Sequence, residues 1–215
     1  MTPKAKVKNT KKPAWNRGVV VGQKIGFTKQ EARTIRHLLE NKGNLRDLTL
    51  FCTGVDLAFR SVDLLSLRVR DILSLEGRIK EAVTIRQQKT QKPVTTYLTS
   101  GTQNILERWL EEMRGERDSF LFPSRKRAGA RSKAITHARL AQLIKEWAKW
   151  AGLNPELYST HSLRRTRVSE MYRVTGNHDA CRIYLGQTHL DHTQRYLGTN
   201  QEIVREIAEG VEIWD

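Results

Sequence analysis

Apolar residues recur at helical spacing through most of this chain, and the pattern gives way to a clear hairpin at one place. There, Ala82 to Gln88 and Val94 to Leu98 flank the turn sequence Lys89-Thr90-Gln91-Lys92-Pro93. The chain therefore reads as mainly α with a small antiparallel β-sheet, an α+β fold. Thr28-Lys29-Gln30-Glu31 is a capping box followed by Ile35, Leu38 and Leu39 on one helical face. A second helix is expected from Leu45 to Thr53, broken near Gly54, and a third carries Phe59, Val62, Leu64, Leu65 and Leu67. Val69 to Ile72 is a short strand candidate. Ser100 is expected to cap a helix bearing Ile105, Leu106, Trp109, Leu110 and Met113. A long helix with Leu140, Leu143, Ile144, Trp147 and Trp150 closes at Gly152 and Pro155, and shorter helices follow at about 161–174, 179–185, 191–197 and 201–209.

Charge divides the chain further. Among 215 residues, 38 Lys and Arg stand against 23 Asp and Glu, a formal net charge of +15. A balance this basic predicts a polyanionic partner, most simply nucleic acid, bound with a steep salt dependence. Residues 1–26 form a basic N-terminal arm: Lys4, Lys6, Lys8, Lys11, Lys12 and Arg17 come with no acid among the first seventeen residues. Lys11 and Lys12 in the arm, and the run Arg125, Lys126, Arg127, Arg131 and Lys133, are the candidate backbone contacts. Residues 199–215 invert the balance, with Glu202, Glu206, Glu209, Glu212 and Asp215 against Arg205 alone. Apolar Ile203, Val204, Ile207, Val211, Ile213 and Trp214 mark that tail as a segment that docks on protein. Residues 27–198 make one continuous domain, and an apolar fraction of 38% suffices for its core. No apolar run approaches a membrane span, and the basic start has no hydrophobic segment behind it. Two cysteines, Cys52 and Cys181, make no disulfide framework, and no Cys-x-x-Cys is present to hold zinc. The expectation is a soluble, cytoplasmic chain with a nucleic-acid partner.

Four segments could carry chemistry. In His161-Ser162-Leu163-Arg164, His161 and Arg164 share a helical face at i, i+3 and suit a phosphate: Arg clamps two oxygens, while His donates to one or exchanges a proton. Such a pair is also common on plain surfaces. Arg60 enters an apolar helix start, with Asp63 at i+3 as its local partner, either as a simple ion pair or as a brace for an anion-binding guanidinium. Lys89 sits at the hairpin tip, where a lysine reaching into a DNA groove can protonate a leaving alkoxide. Tyr196 is either a structural anchor or a nucleophile whose phenol, with a free pKa near ~10, needs a cationic setting. His189, Asp191 and His192 lack a further strong ligand at sensible spacing, so no metal is expected.

In order and spacing these pieces resemble the tyrosine recombinase (phage integrase) family over about Phe27 to Leu197. Arg60-Ser61-Val62-Asp63-Leu64-Leu65-Ser66-Leu67 is similar to its first-arginine box, and Ile85 to Val94 to its hairpin lysine segment. His161-Ser162-Leu163-Arg164-Arg165-Thr166 resembles its His-x-Leu-Arg box, and Leu185-Gly186-Gln187 through Tyr196 its last box. The resemblance implies the family's catalytic-domain fold and a set of roles. Arg60 and Arg164 would clamp the scissile phosphate, Tyr196 would attack it, and Lys89 would protonate the leaving oxygen. His161 would help accept the tyrosine proton, and Asp63 would orient its neighbours. It also implies a 3′-phosphotyrosine intermediate with no cofactor, neither metal nor ATP, and a homo-oligomer, a tetramer on paired sites of double-stranded DNA, with the tail docked on a neighbouring subunit.

Two departures stand out. Gln187 occupies a position where the family usually carries His or Trp; glutamine can donate a hydrogen bond to phosphate but carries neither charge nor proton. In addition, the 26 residues before the match are too few for the extra helical DNA-gripping domain of many members, so the chain is either an excised catalytic domain or a compact member. A type IB topoisomerase-like activity and a catalytically inactive DNA-binding regulator with the same fold are the alternative functions.

Overall fold

The computed structural model describes residues 23–124 and 133–187. Within them the chain runs α1 (Lys29–Asn41), α2 (Leu45–Leu57), α3 (Ser61–Ser66), α4 (Val69–Ile72), β1 (Ala82–Arg86), β2 (Pro93–Tyr97), α5 (Ser100–Met113), α6 (His137–Trp150), a 3-10 turn at Pro155–Leu157, α7 (Thr160–Thr175) and α8 (His178–Tyr184). The helices expected at 191–197 and 201–209 lie outside the described residues. Among the described residues no helix is long and apolar enough to cross a membrane.

The capping box at α1 forms as read: Glu31 N–H donates to Thr28 Oγ1 at 3.2 Å, and Thr28 N–H to Glu31 Oε2 at 2.8 Å. Helix α2 is the axis of the core. Its residues 47–54 are buried all round, the signature of a helix enclosed by others, and it packs against α1, α5 and α7. Each fully enclosed leucine there stabilises the fold by about 1.5–3 kcal/mol. Trp147 of α6 meets Phe51 edge-on at 5.6 Å, and Phe27 stacks on Tyr158 at 4.3 Å, which fixes the lead-in to α1 against the start of α7. A smaller cluster of Ala58, Val168, Cys181, Tyr184 and Leu185 joins α7 and α8 to the end of α2. Both cysteines are free and buried, and burial pushes the Cys52 thiol up to about 12, far from reactive.

Strands β1 and β2 pair antiparallel with Val83 opposite Thr96 and Ile85 opposite Val94. Val83, Val94 and Thr96 are buried, so alternation presses one face of the hairpin on the helices and leaves its turn projecting.

Three local expectations are corrected. Helix α2 does not break at Gly54 but runs on to Leu57. Gly54 marks a close approach instead: a Cβ there would lie 2.7 Å from Leu163 Cδ1 and 3.1 Å from Leu64 Cδ2. The helix ends at Ala58, whose left-handed φ of 48° turns the chain. Val69–Ile72 is not a strand but a single helical turn, because Asp71 Oδ2 accepts the Arg68 N–H at 2.8 Å and closes that turn. Ser100 is not the cap of α5 but its first residue; Thr99 caps it, accepting from the Thr102 N–H at 3.4 Å.

Candidate active site

The left-handed turn at Ala58 sets down Phe59 in the core and leaves Arg60 at the N-cap of α3. Arg60 is half-buried, and its buried Nη1 has no hydrogen-bond partner. Arg164, on α7, is buried to 1% exposure. Such a burial is tolerable only with partners. Its Nη1 donates to the Ala58 carbonyl, and its Nη2 to the Leu185 carbonyl at 2.8 Å. The second arginine therefore braces the turn that presents the first.

Helix α7 begins with a reciprocal cap: Ser159 Oγ accepts the His161 N–H at 3.3 Å, and Ser159 N–H donates to Ser162 Oγ at 2.9 Å. One turn on, His161 and Arg164 share a face, as their spacing requires. His161 is held below the ordinary 6.5, first by partial burial of the ring and then by the charges of Arg164, Arg165, Arg60 and His137. The imidazole thus lies in the field of both box arginines. His137, at the start of α6, joins the group through a 2.8 Å hydrogen bond between its Nδ1 and Ser61 Oγ.

Asp63 is buried to 1% exposure, and no hydrogen bond joins its buried Oδ2 to the buried Nη1 of Arg60. The i+3 pairing read from the sequence is corrected: Asp63 Oδ1 accepts the Gln88 N–H across the fold at 2.9 Å, anchoring the hairpin turn. Its Oδ2 is buried without a partner. Lys89 follows directly, exposed in the turn. Gln187 is half-buried just beyond α8, its N–H donating to the Arg182 carbonyl at 3.0 Å while its own carbonyl accepts from Arg182 Nη1 at 3.2 Å. The preceding Gly186 has φ +59°, and a Cβ there would lie 2.1 Å from Val94 Cγ2. This position tolerates glycine and little else.

Arg60, His161 and Arg164 are thus brought together, and the Lys89 turn and the Gln187 segment are both tied to the same framework. Cations with one imidazole beside them make a site for a phosphodiester. Lys133 is exposed, its carbonyl accepting the Ser124 N–H at 2.7 Å. Tyr196, Lys11, Lys12, Arg125, Lys126, Arg127 and Arg131 lie outside the described residues. A cavity of about 440 Å³ bordered by Arg33, Arg36, Phe51, Cys52, Asp56 and Met171 includes none of these site residues. Among the described residues no group of three or more His, Cys, Asp or Glu could hold a metal ion. His137 and the buried Gln87 escaped the sequence reading: a histidine at a helix start and a glutamine in a strand-like run carry no signal until the fold brings their partners near.

Comparison with known proteins bears on this arrangement. The model of the phage integrase family matches residues 26–202. The chain is similar to the probable integrase/recombinase YoeC of Bacillus subtilis (strain 168), 25% identical over 176 residues covering 82% of this chain and 90% of that one. It is 33% identical over 106 residues to the tyrosine recombinase XerC of Erythrobacter litoralis (strain HTCC2594), covering 49% of this chain and 32% of that one. Among solved structures, XerA recombinase superposes with a TM-score of 0.73 at 17% identity, covering 95% of this chain and 68% of that one. XerH bound to its difH substrate gives 0.67 at 21% identity, over 90% of this chain and 55% of that one. The chain thus spans about half the length of XerH, and at these identities the likeness is one of fold. The family match, covering most of the chain and every box described above, places this protein in the phage integrase family, the tyrosine site-specific recombinases.

Proposed function

We propose that the chain cleaves and rejoins duplex DNA at specific sites through a 3′-phosphotyrosine intermediate. The observation that carries this reading is the placement of His161 in the field of Arg60 and Arg164, with the Lys89 turn anchored on α3 through Asp63. Arg60 and Arg164 hold the nonbridging oxygens of one phosphate and stabilise the charge that builds on them. Tyr196 attacks phosphorus. The bond from phosphorus to the 5′ oxygen breaks, Lys89 gives that oxygen a proton, and His161 takes the proton of the phenol. Gln187 donates a hydrogen bond to a phosphate oxygen. The phosphoester is conserved in the protein–DNA bond, so a 5′-hydroxyl of another strand reverses the chemistry without ATP, and the reactants balance with no metal. The basic arm and the Arg125–Lys133 run track the duplex backbone. The tail at 199–215 docks on a neighbouring subunit of a tetramer assembled on two paired sites.

Duplexes recovered from a randomised pool, nicked so that the cleaved end is lost, test the reading. The expected result is a denaturant-resistant adduct with the wild type and none with Tyr196→Phe. Binding without any adduct would instead identify an inactive DNA-binding regulator. Rapid relaxation of any supercoiled plasmid would identify a topoisomerase-like outcome.

A further inference from the structure

Gln87 has no part in the chemistry above, yet it is fully buried and reaches in two directions. Its Nε2 donates to the Leu185 carbonyl at 3.2 Å, and its Oε1 accepts from Thr90 Oγ1 at 2.8 Å. The partners settle the orientation of the amide, since the Leu185 carbonyl can only accept. The backbone of the same residue closes the turn: its carbonyl accepts the Gln91 N–H at 2.8 Å, and its N–H donates to the Lys92 carbonyl at 3.0 Å.

The Leu185 carbonyl is shared. It accepts from Gln87 on one side and from Arg164 Nη2 on the other, so a single acceptor joins the Lys89 turn to the arginine. On the opposite flank, Asp63 holds the Gln88 N–H. Both residues immediately before Lys89 are therefore pinned to the body of the protein, while Lys89 projects. Gly186 keeps the junction tight, for a Cβ there would stand 3.0 Å from Gln87 Nε2.

The chemistry gives this junction a purpose. An ammonium on a flexible four-carbon stem protonates a leaving oxygen only when its backbone is delivered to hydrogen-bond range. A buried amide is costly unless both ends are satisfied, and an apolar side chain would fill the same space without that demand. We infer that Gln87 is a positioning residue: through the acceptor it shares with Arg164, it fixes the Lys89 turn in register with the arginine that holds the phosphate. This rests on the DNA-cleavage reading above.

The test uses the full chain and two leaving groups. With an ordinary 5′ oxygen the reaction needs the lysine proton; with sulfur in that bridging position the departing thiolate, of pKa near ~8.5, does not. Gln87→Met should form the adduct about thirtyfold more slowly on the oxygen duplex, a partial loss of the ~10²–10⁴-fold that a general acid contributes, and within about threefold of wild type on the sulfur duplex. Thr90→Val, at an exposed position with little bearing on folding, should show the same sulfur-rescued slowing to a smaller degree, and Thr90→Ser should not. In the free protein, amide exchange at 88–91 should quicken about tenfold in Gln87→Met, because the opening of that turn costs one buried hydrogen bond fewer. Equal slowing on both duplexes, or unchanged exchange at 88–91, would overturn the inference. A wild type that makes no adduct would sink the cleavage reading, while the exchange measurement would still decide whether Gln87 holds the turn.

Discussion

His161 shows how much a single side chain inherits from its surroundings. Its partial burial and the nearby charges of Arg164, Arg165, Arg60 and His137 all disfavour the imidazolium. At neutral pH the ring is therefore uncharged and ready to take a proton. Its NMR titration midpoint should fall below 6.5 in the free protein and rise when inorganic phosphate or DNA is added, since an anion among the arginines favours the charged ring. The sign for stability follows. Well above pH 6.5 the ring is neutral in both folded and unfolded chains; as pH falls through 6.5 the unfolded chain takes up the proton first, and the folded state loses stability. A midpoint at or above 6.5 without anion would mean that the arginines do not face this ring. At the scale of single residues, charge, spacing and the resemblance to the family's boxes single out Arg60, Lys89, His161 and Arg164, and the fold sets His161 beside Arg60 and Arg164. The partner of Asp63 was not legible in this way, because a carboxylate three residues away on a helix competes with any backbone N–H that the fold brings closer, here that of Gln88.

Elements were legible where periodicity is local and opaque where tertiary contacts decide. The spans of α1, α6 and the hairpin follow from caps and alternation. The run of α2 past Gly54 does not, since a glycine that breaks a helix and one that admits Leu163 look alike in a sequence. The join between α2 and α5 is of the same kind. Asp56, 6% exposed, accepts from Thr99 N–H at 2.9 Å and Thr99 Oγ1 at 2.7 Å, so the end of one helix caps the start of another forty-three residues on. Tyr184 also donates to the Asp56 carbonyl. Asp56→Ala strands the Thr99 donors and should cost about 2 kcal/mol of unfolding free energy. At this chain length that corresponds to a fall in Tm of roughly 4–8 °C. Asp56→Asn, which keeps an acceptor oxygen, should lose less. Equal stability of Asp56→Ala and wild type in denaturant titration would show that the join is not a fastening.

For the whole molecule, the net charge of +15 pointed to a polyanion without naming the chemistry. The fold narrows it: the Leu185 carbonyl, shared between Gln87 and Arg164, joins the lysine turn to one arginine, and that arginine braces the Ala58 turn that leads to Arg60, with His161 in the field of both. That framework links residues nearly a hundred positions apart, and no local pattern announces it. The proposed chemistry requires that this framework deliver one phosphodiester to Tyr196. Mass spectrometry of the nuclease-trimmed covalent adduct measures this directly. The predicted result is a 3′-phosphonucleotide on the peptide containing Tyr196, with the released strand ending in a 5′-hydroxyl. A nucleotide attached to any other residue, or joined through its 5′ end, would contradict the account.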